Sequence, residues 1–210
     1  MILPTDSELV EAAAETYVRG GEPFASDIDG AIRAFLTTRA DGLNIIAIEG
    51  THSGIGWLLD FFGLTANDHQ GIEHRSLGWL HAGFYNSATV LLPQCILIAE
   101  RGPFAICGHS LGAVLALMVG ALLINDDKPP VKIGAFAPPR GGGWQFVKTA
   151  TSVPFCAYRF GDDPITDIPL TLPDFPYEQV PLTAIGHPMF DPLDCHHIQN
   201  YVSGVKALAA

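Results

Sequence analysis

Phe104-Ala-Ile-Cys-Gly-His-Ser-Leu-Gly-Ala-Val-Leu-Ala-Leu-Met-Val-Gly-Ala-Leu-Leu-Ile124 is the stretch that decides the fold. It opens on four apolar residues, Phe104 to Cys107, which read as a short buried strand. Every residue from Leu111 to Ile124 is apolar or glycine, the composition of a helix packed under a sheet. Between the two, Gly108-His109-Ser110-Leu111-Gly112 fits G-x-S-x-G. A nucleophilic serine has to project from a sharp strand-to-helix turn, and this is where the pentapeptide sits. Glycines two residues before and after Ser110 remove side chains that would collide as strand and helix approach each other. The helix start adds free N–H groups and the positive end of the helix dipole. The N–H of Leu111 is therefore a candidate oxyanion donor.

The flanking sequence extends the pattern in both directions. Asn44 to Glu49 reads as a buried strand ending at Gly50, and Val131 to Ala137 and Phe155 to Phe160 read as further strands. Glu178-Gln179-Val180 reads as an edge strand. Residues 82 to 99 carry Phe84, Ala88, Leu91, Leu92 and Cys95 at helical spacing, with a kink or break expected at Pro93. Asp126-Asp127-Lys128-Pro129-Pro130 stops the helix behind Ser110. The first forty residues read as two amphipathic helices. Thr5 and Glu8 have capping-box spacing ahead of the first; Ile28, Ile32, Phe35 and Leu36 mark the second. A last helix is expected from about His197 to Leu208. Strands alternating with helices give an α/β class with a mainly parallel central sheet.

The composition of the 210 residues agrees. No repeat, low-complexity tract or long linker divides the chain, so 1–210 reads as one domain. Apolar residues make up 48% and charged residues only 16%, with a mean hydropathy of +0.27, which excludes intrinsic disorder. The longest uninterrupted apolar run, Leu111 to Ile124, is shorter than the roughly 18 residues a bilayer span needs. A net charge of -11 argues against nucleic acid, or an anionic membrane surface, as the main partner. The N-terminus shows no basic region followed by an apolar one, so no signal peptide is visible; a cytoplasmic chain and a mature secreted one both fit. Cys95, Cys107, Cys156 and Cys195 are widely spaced without a CxxC and read as buried free thiols.

Several segments in order carry a family resemblance. They are Ile48-Glu49-Gly50-Thr51, Trp57, His81-Ala82-Gly83-Phe84, Gly108 to Gly112, Phe136-Ala-Pro-Pro-Arg-Gly141, Asp163-Pro-Ile-Thr-Asp-Ile-Pro169 and His196-His-Ile-Gln-Asn-Tyr201. From about Ile45 to Tyr201 the chain resembles the class 3 lipases, the fungal-lipase-like branch of the α/β-hydrolases. The resemblance implies an α/β-hydrolase fold, with helices on both faces of the sheet. It also implies hydrolysis of lipid or acylglycerol esters without a cofactor, with transient contact to a lipid surface. Glu49 departs from the Arg the family commonly carries, which puts local ion pairing in doubt.

A serine needs a base, and the base an orienting carboxylate, in the chain order Ser, acid, His. The acid candidates are Asp162, Asp163, Asp167 and Asp174; Asp162 and Asp163 directly follow a strand, where α/β sheets present their sites. The histidine candidates are His187, His196 and His197. Adjacent helical residues point about 100° apart, so only one of His196 and His197 faces Ser110. The family pattern selects Asp163, by its spacing to Pro169, and His196, by its spacing to Tyr201. It also points to Thr51, through its backbone N–H together with its hydroxyl, as the second oxyanion donor beside Leu111.

Asp191, Asp194, Cys195, His196 and His197 are rich in metal-ligating types, but the helical His i, i+4 spacing is absent and no metal site is expected. His52, His69, His74, His81 and His109 read as structural. After Thr51, the segment 52–63 carries Ile55, Trp57 and Leu58 among further apolar residues and hinge-like glycines. It reads as an acyl-binding lid or, alternatively, as an ordinary core helix. The rival functions are an esterase of other specificity (feruloyl-type, thioesterase or acyltransferase) and a non-catalytic binding protein on the same fold.

Overall fold

Seven strands form the central sheet of the computed structural model, which describes residues 2–19, 23–26, 32–51, 71–171 and 176–209. In chain order the elements are α1 (Asp6–Glu15), β1 (Ala25–Ser26), β2 (Arg33–Thr38), β3 (Asn44–Ile48), β4 (Gly71–His74), β5 (Gly78–His81) and α2 (Ala82–Arg101). There follow β6 (Phe104–His109), α3 (Leu111–Asn125), β7 (Lys132–Phe136), α4 (Trp144–Ala150), β8 (Phe155–Phe160), β9 (Thr183–Ile185) and α5 (Ile198–Leu208). Single 3-10 turns lie at Pro164–Asp167 and Pro192–His196. The sheet order is β1-β2-β3-β6-β7-β8-β9. From β3 to β9 every pairing is parallel, and β1 and β2 add an antiparallel margin. A separate antiparallel pair joins β4 to β5.

Period-2 alternation within buried strands creates two cores. Ile46 and Ile48 of β3 and Phe104 and Ile106 of β6 face the layer that holds α2, α3 and α4. Ile45 and Ala47, with Ala105 and Cys107, face the opposite layer, where Leu9, Val10 and Ala13 of α1 meet Tyr201 and Val205 of α5. Helix α3 lies inside the first core, buried on all sides from Leu111 to Ala121. Each fully buried Leu or Val there contributes about 1.5–3 kcal/mol by leaving water. Helix α2 is long and apolar enough, by length and composition, to cross a bilayer. In the fold its Phe84, Ala88, Leu91, Cys95 and Ile98 are buried in the first core instead.

Several local expectations are met. Thr5 and Glu8 form the expected capping box on α1, each side chain bonding the other's backbone N–H. All four cysteines are free and buried. Burial pushes the thiols of Cys95 and Cys107 up to about 12, so they stay protonated.

Three local expectations are corrected. The second N-terminal helix is absent over the described residues: Arg33–Thr38 is strand β2, paired with β3 through Phe35 opposite Ala47 and Leu36 opposite Ile46. Its cause is a tight connection at Asp41-Gly42, with Gly42 at φ 84 and Arg39 N–H bonded to Leu43 O at 2.8 Å. Ile28 lies outside the described residues. Pro93 does not break α2, which runs unbroken past it; the proline is on the exposed side, where water reaches the carbonyl left without an N–H partner. The edge strand is Thr183–Ile185, while Glu178 makes only an isolated bridge to Gly142. The last helix is found as expected, at Ile198–Leu208 with His197 as its N-cap, and His196 closes the 3-10 turn before it.

Candidate active site

Ser110 stands at the C-terminal end of β6, with φ 58 and ψ -124, a conformation rare for a residue with a side chain. The turn holds because its two glycines are needed. A Cβ on Gly108 would lie 2.3 Å from the carbonyl of Gly112, and a Cβ on Gly112 would lie 2.2 Å from the carbonyl of Ile48. Strand and helix thus pass at backbone distance, and the helix start also touches the end of β3. The Ser110 N–H is fixed to Phe136 O at 2.9 Å.

A hydrogen-bonded relay begins at this serine. Ser110 Oγ is 2.8 Å from His196 Nε2, and His196 Nδ1 is 2.8 Å from Asp163 Oδ2. All three side chains are buried, Asp163 completely. With Nδ1 donating to the carboxylate, Nε2 is left as the acceptor for the serine hydroxyl. Asp163 gets its place from the sheet: it follows β8 and caps the Pro164–Asp167 turn, its Oδ1 accepting from Ile165 N–H at 2.9 Å. Tyr201 of α5 completes the carboxylate shell, donating to Asp163 Oδ2 at 2.6 Å and accepting from Phe160 N–H at 3.0 Å. Burial and the Asp163 charge hold the Tyr201 phenol far above its ordinary value, so it stays a donor.

The competing residues are elsewhere. Asp162 accepts from Cys195 Sγ at 3.3 Å, and the exposed His197 is 3.7 Å from Asp194. Asp167 pairs with Arg159 at 3.0 Å and Arg140 at 3.5 Å. His187 is an exposed residue of the loop after β9. Asp174 lies outside the described residues, as do His52, His69 and the segment 52–63 with Ile55, Trp57 and Leu58. Among the described residues no three His, Cys, Asp or Glu side chains converge as metal ligands.

The ends of β3 and β6 lie side by side, with Ile48 paired to Gly108, Gly112 of α3 against the carbonyl of Ile48, and Gly50 against the carbonyl of His109. Leu111 is the first residue of α3; Ala113 and Val114 N–H bond the Ser110 carbonyl, and the N–H groups of Leu111 and Gly112 come before the first intrahelical bond. The Thr51 hydroxyl is buried without a hydrogen-bond partner among the described residues.

A family model described as "Lipase (class 3)" matches residues 45–172. The chain belongs to the class 3 lipase family. As a class 3 lipase it is a carboxylic-ester hydrolase on the α/β-hydrolase fold. Solved structures share that fold. A mutant form of MDLA from Penicillium cyclopium superposes with a TM-score of 0.67 at 18% identity, over 89% of this chain and 80% of that one. Rhizomucor miehei triacylglyceride lipase gives 0.64 at 15% identity, over 86% and 76%. The mono- and diacylglycerol lipase of Aspergillus oryzae gives 0.60 at 19% identity, over 90% and 82%. A search of curated protein sequences gave no match.

This class 3 lipase resolves its departure from the family pattern at Glu49. The buried carboxylate takes a two-pronged ion pair from Arg33 of β2, at 2.5 and 2.7 Å. The cation required beside the β3 terminus comes from the neighbouring strand, 16 residues away in sequence. Sequence reading missed Arg33 because no local pattern links it to Glu49.

Proposed function

We propose that this chain hydrolyses lipid or acylglycerol esters through an acyl-enzyme on Ser110. His196 Nε2 takes the Ser110 proton as Oγ attacks the acyl carbon, and Asp163 holds the imidazole and balances the imidazolium. The carbonyl oxygen becomes an oxyanion that accepts from the Leu111 N–H and from Thr51. As the tetrahedral intermediate collapses, His196 returns its proton to the leaving alkoxide, and the alcohol departs. Water then repeats the sequence on the acyl-serine and releases the carboxylic acid.

The observation that carries this reading is the unbroken relay Ser110–His196–Asp163, at 2.8 Å on both links, ending on a serine in a strained turn. The lipid substrate is supported by the family and by the acylglycerol lipases that share the fold. It is also supported by apolar surface close to His196 in the chain: Phe190 is fully exposed, and Met189 and Leu193 are partly so. With a net charge of -11, contact with lipid would work through such surface and not through attraction to anionic headgroups.

Ser110→Ala tests the mechanism. It is expected to abolish hydrolysis of p-nitrophenyl esters and labelling by a fluorophosphonate, with the circular dichroism unchanged. Retained hydrolysis would exclude Ser110 as the nucleophile. A substrate panel of acylglycerols, aryl esters and thioesters tests the lipid assignment; a preference for feruloyl or thioester substrates would overturn it.

A further inference from the structure

His109 is fully buried beside the relay without belonging to it. Its ring centroid is 4.8 Å from that of His196 and 5.4 Å from that of Tyr201. Its Nδ1 is 2.8 Å from the hydroxyl of Tyr17, a residue 92 positions away in the turn after α1. The same hydroxyl rests on Gly50, where a Cβ would lie 1.9 Å from it and 2.7 Å from the carbonyl of His109. One phenol oxygen therefore touches both segments that lead into the site: Gly50, which precedes Thr51, and His109, which precedes Ser110.

We propose that Tyr17 and His109 are positioning residues: Tyr17 donates to Nδ1 of His109, which fixes His109 as the neutral imidazole with its proton on Nε2. This inference rests on the ester-hydrolase reading given above. Burial and the nearby Glu49 charge keep the Tyr17 phenol protonated, so it has a proton to donate. Nε2 of His109 is buried with no hydrogen-bond partner among the described residues. Burial, followed by the charge of His196, holds His109 well below the ordinary imidazole range. The arrangement has two effects. It ties the turn after α1 to Gly50 and His109, the residues that lead into Thr51 and Ser110. It also keeps a second positive charge away from His196 at the moment His196 takes up the serine proton.

The test is Tyr17→Phe, which removes one oxygen atom and keeps the ring. On a short soluble p-nitrophenyl ester, kcat is expected to fall about tenfold with KM unchanged, a loss of one aligned hydrogen bond in the transition state. The rate of fluorophosphonate labelling at Ser110 should fall by the same factor. A merely structural role would not move the second readout, the nitrogen NMR spectrum of 15N-histidine-labelled protein. In the unmodified chain His109 should show an unprotonated Nδ1 and a protonated Nε2 from about pH 5 to pH 8. In Tyr17→Phe its Nδ1 resonance should shift or the tautomers should mix. A proton on Nδ1 of His109 in the unmodified chain, or a variant with unaltered kcat and KM, overturns the proposal. The tautomer is read without substrate. An unmodified chain that failed to hydrolyse esters or to label would thus defeat the functional reading separately.

Discussion

Tyr201→Phe separates the carboxylate shell from the relay it supports. Two bonds end on the deleted hydroxyl, one to Asp163 Oδ2 at 2.6 Å and one from Phe160 N–H at 3.0 Å. A hydrogen bond to a buried charged group is worth about 1.5–3 kcal/mol, and an orphaned buried N–H costs about 1–3 kcal/mol. Phe160 is only partly buried, so water recovers some of the second cost. Phenylalanine leaves the apolar packing of the ring in place. The expected destabilisation is roughly 2–4 kcal/mol, which for a chain of this length lowers Tm by about 5–12 °C. Asp163 keeps its bonds to Ile165 N–H and His196, so catalysis is weakened without being lost. We expect kcat on a soluble ester to fall about tenfold with KM unchanged. Calorimetry and initial-rate kinetics on the same preparation read both effects. A variant with unchanged Tm and unchanged kcat would refute the argument that this hydroxyl holds the carboxylate in place.

Two further outcomes concern charge. Arg33→Met leaves the buried Glu49 without its two-pronged partner and should destabilise by about 2–4 kcal/mol in urea titrations. The double variant Arg33→Met with Glu49→Leu should recover most of that loss; no recovery would show that the ion pair is not the source. His109 sets a pH window. Its folded value lies well below 6.5, so under acid the unfolded chain takes up a proton that the folded chain refuses. Stability is therefore intact above about pH 6.5 and falls by about 1.4 kcal/mol per pH unit below it, until His109 titrates in the fold. Denaturation of the unmodified chain against His109→Asn, from pH 7 to pH 5, isolates this contribution; parallel curves would contradict it.

The elements legible in the sequence were those whose signal is local. The nucleophile turn needs only an apolar strand, two glycines around a serine and a helix that is apolar on every side, and these are consecutive residues. The cap at Thr5 and Glu8 is also local. Strand β2 was misread because Ile32, Phe35 and Leu36 fit a helical period within a window too short to exclude it. The Asp41-Gly42 turn and pairing with β3 decided the matter. Trp57 and its neighbours lie outside the described residues.

By itself, the sequence determined the α/β alternation, the serine turn and a short roster of acids and histidines, because chain order and spacing are enough for these. Within that roster the family spacing to Pro169 and Tyr201 pointed to Asp163 and His196, and the tertiary structure brings those two together with Ser110. Asp162 and Asp163 differ by one position, as do His196 and His197, yet one of each pair points into the site and the other toward Cys195 or solvent. The turn after β8 and the 3-10 turn before α5 set those directions. Likewise, Tyr17 meets His109 and Arg33 meets Glu49 only after the sheet has formed, since packing, not sequence proximity, brings distant side chains within hydrogen-bond range.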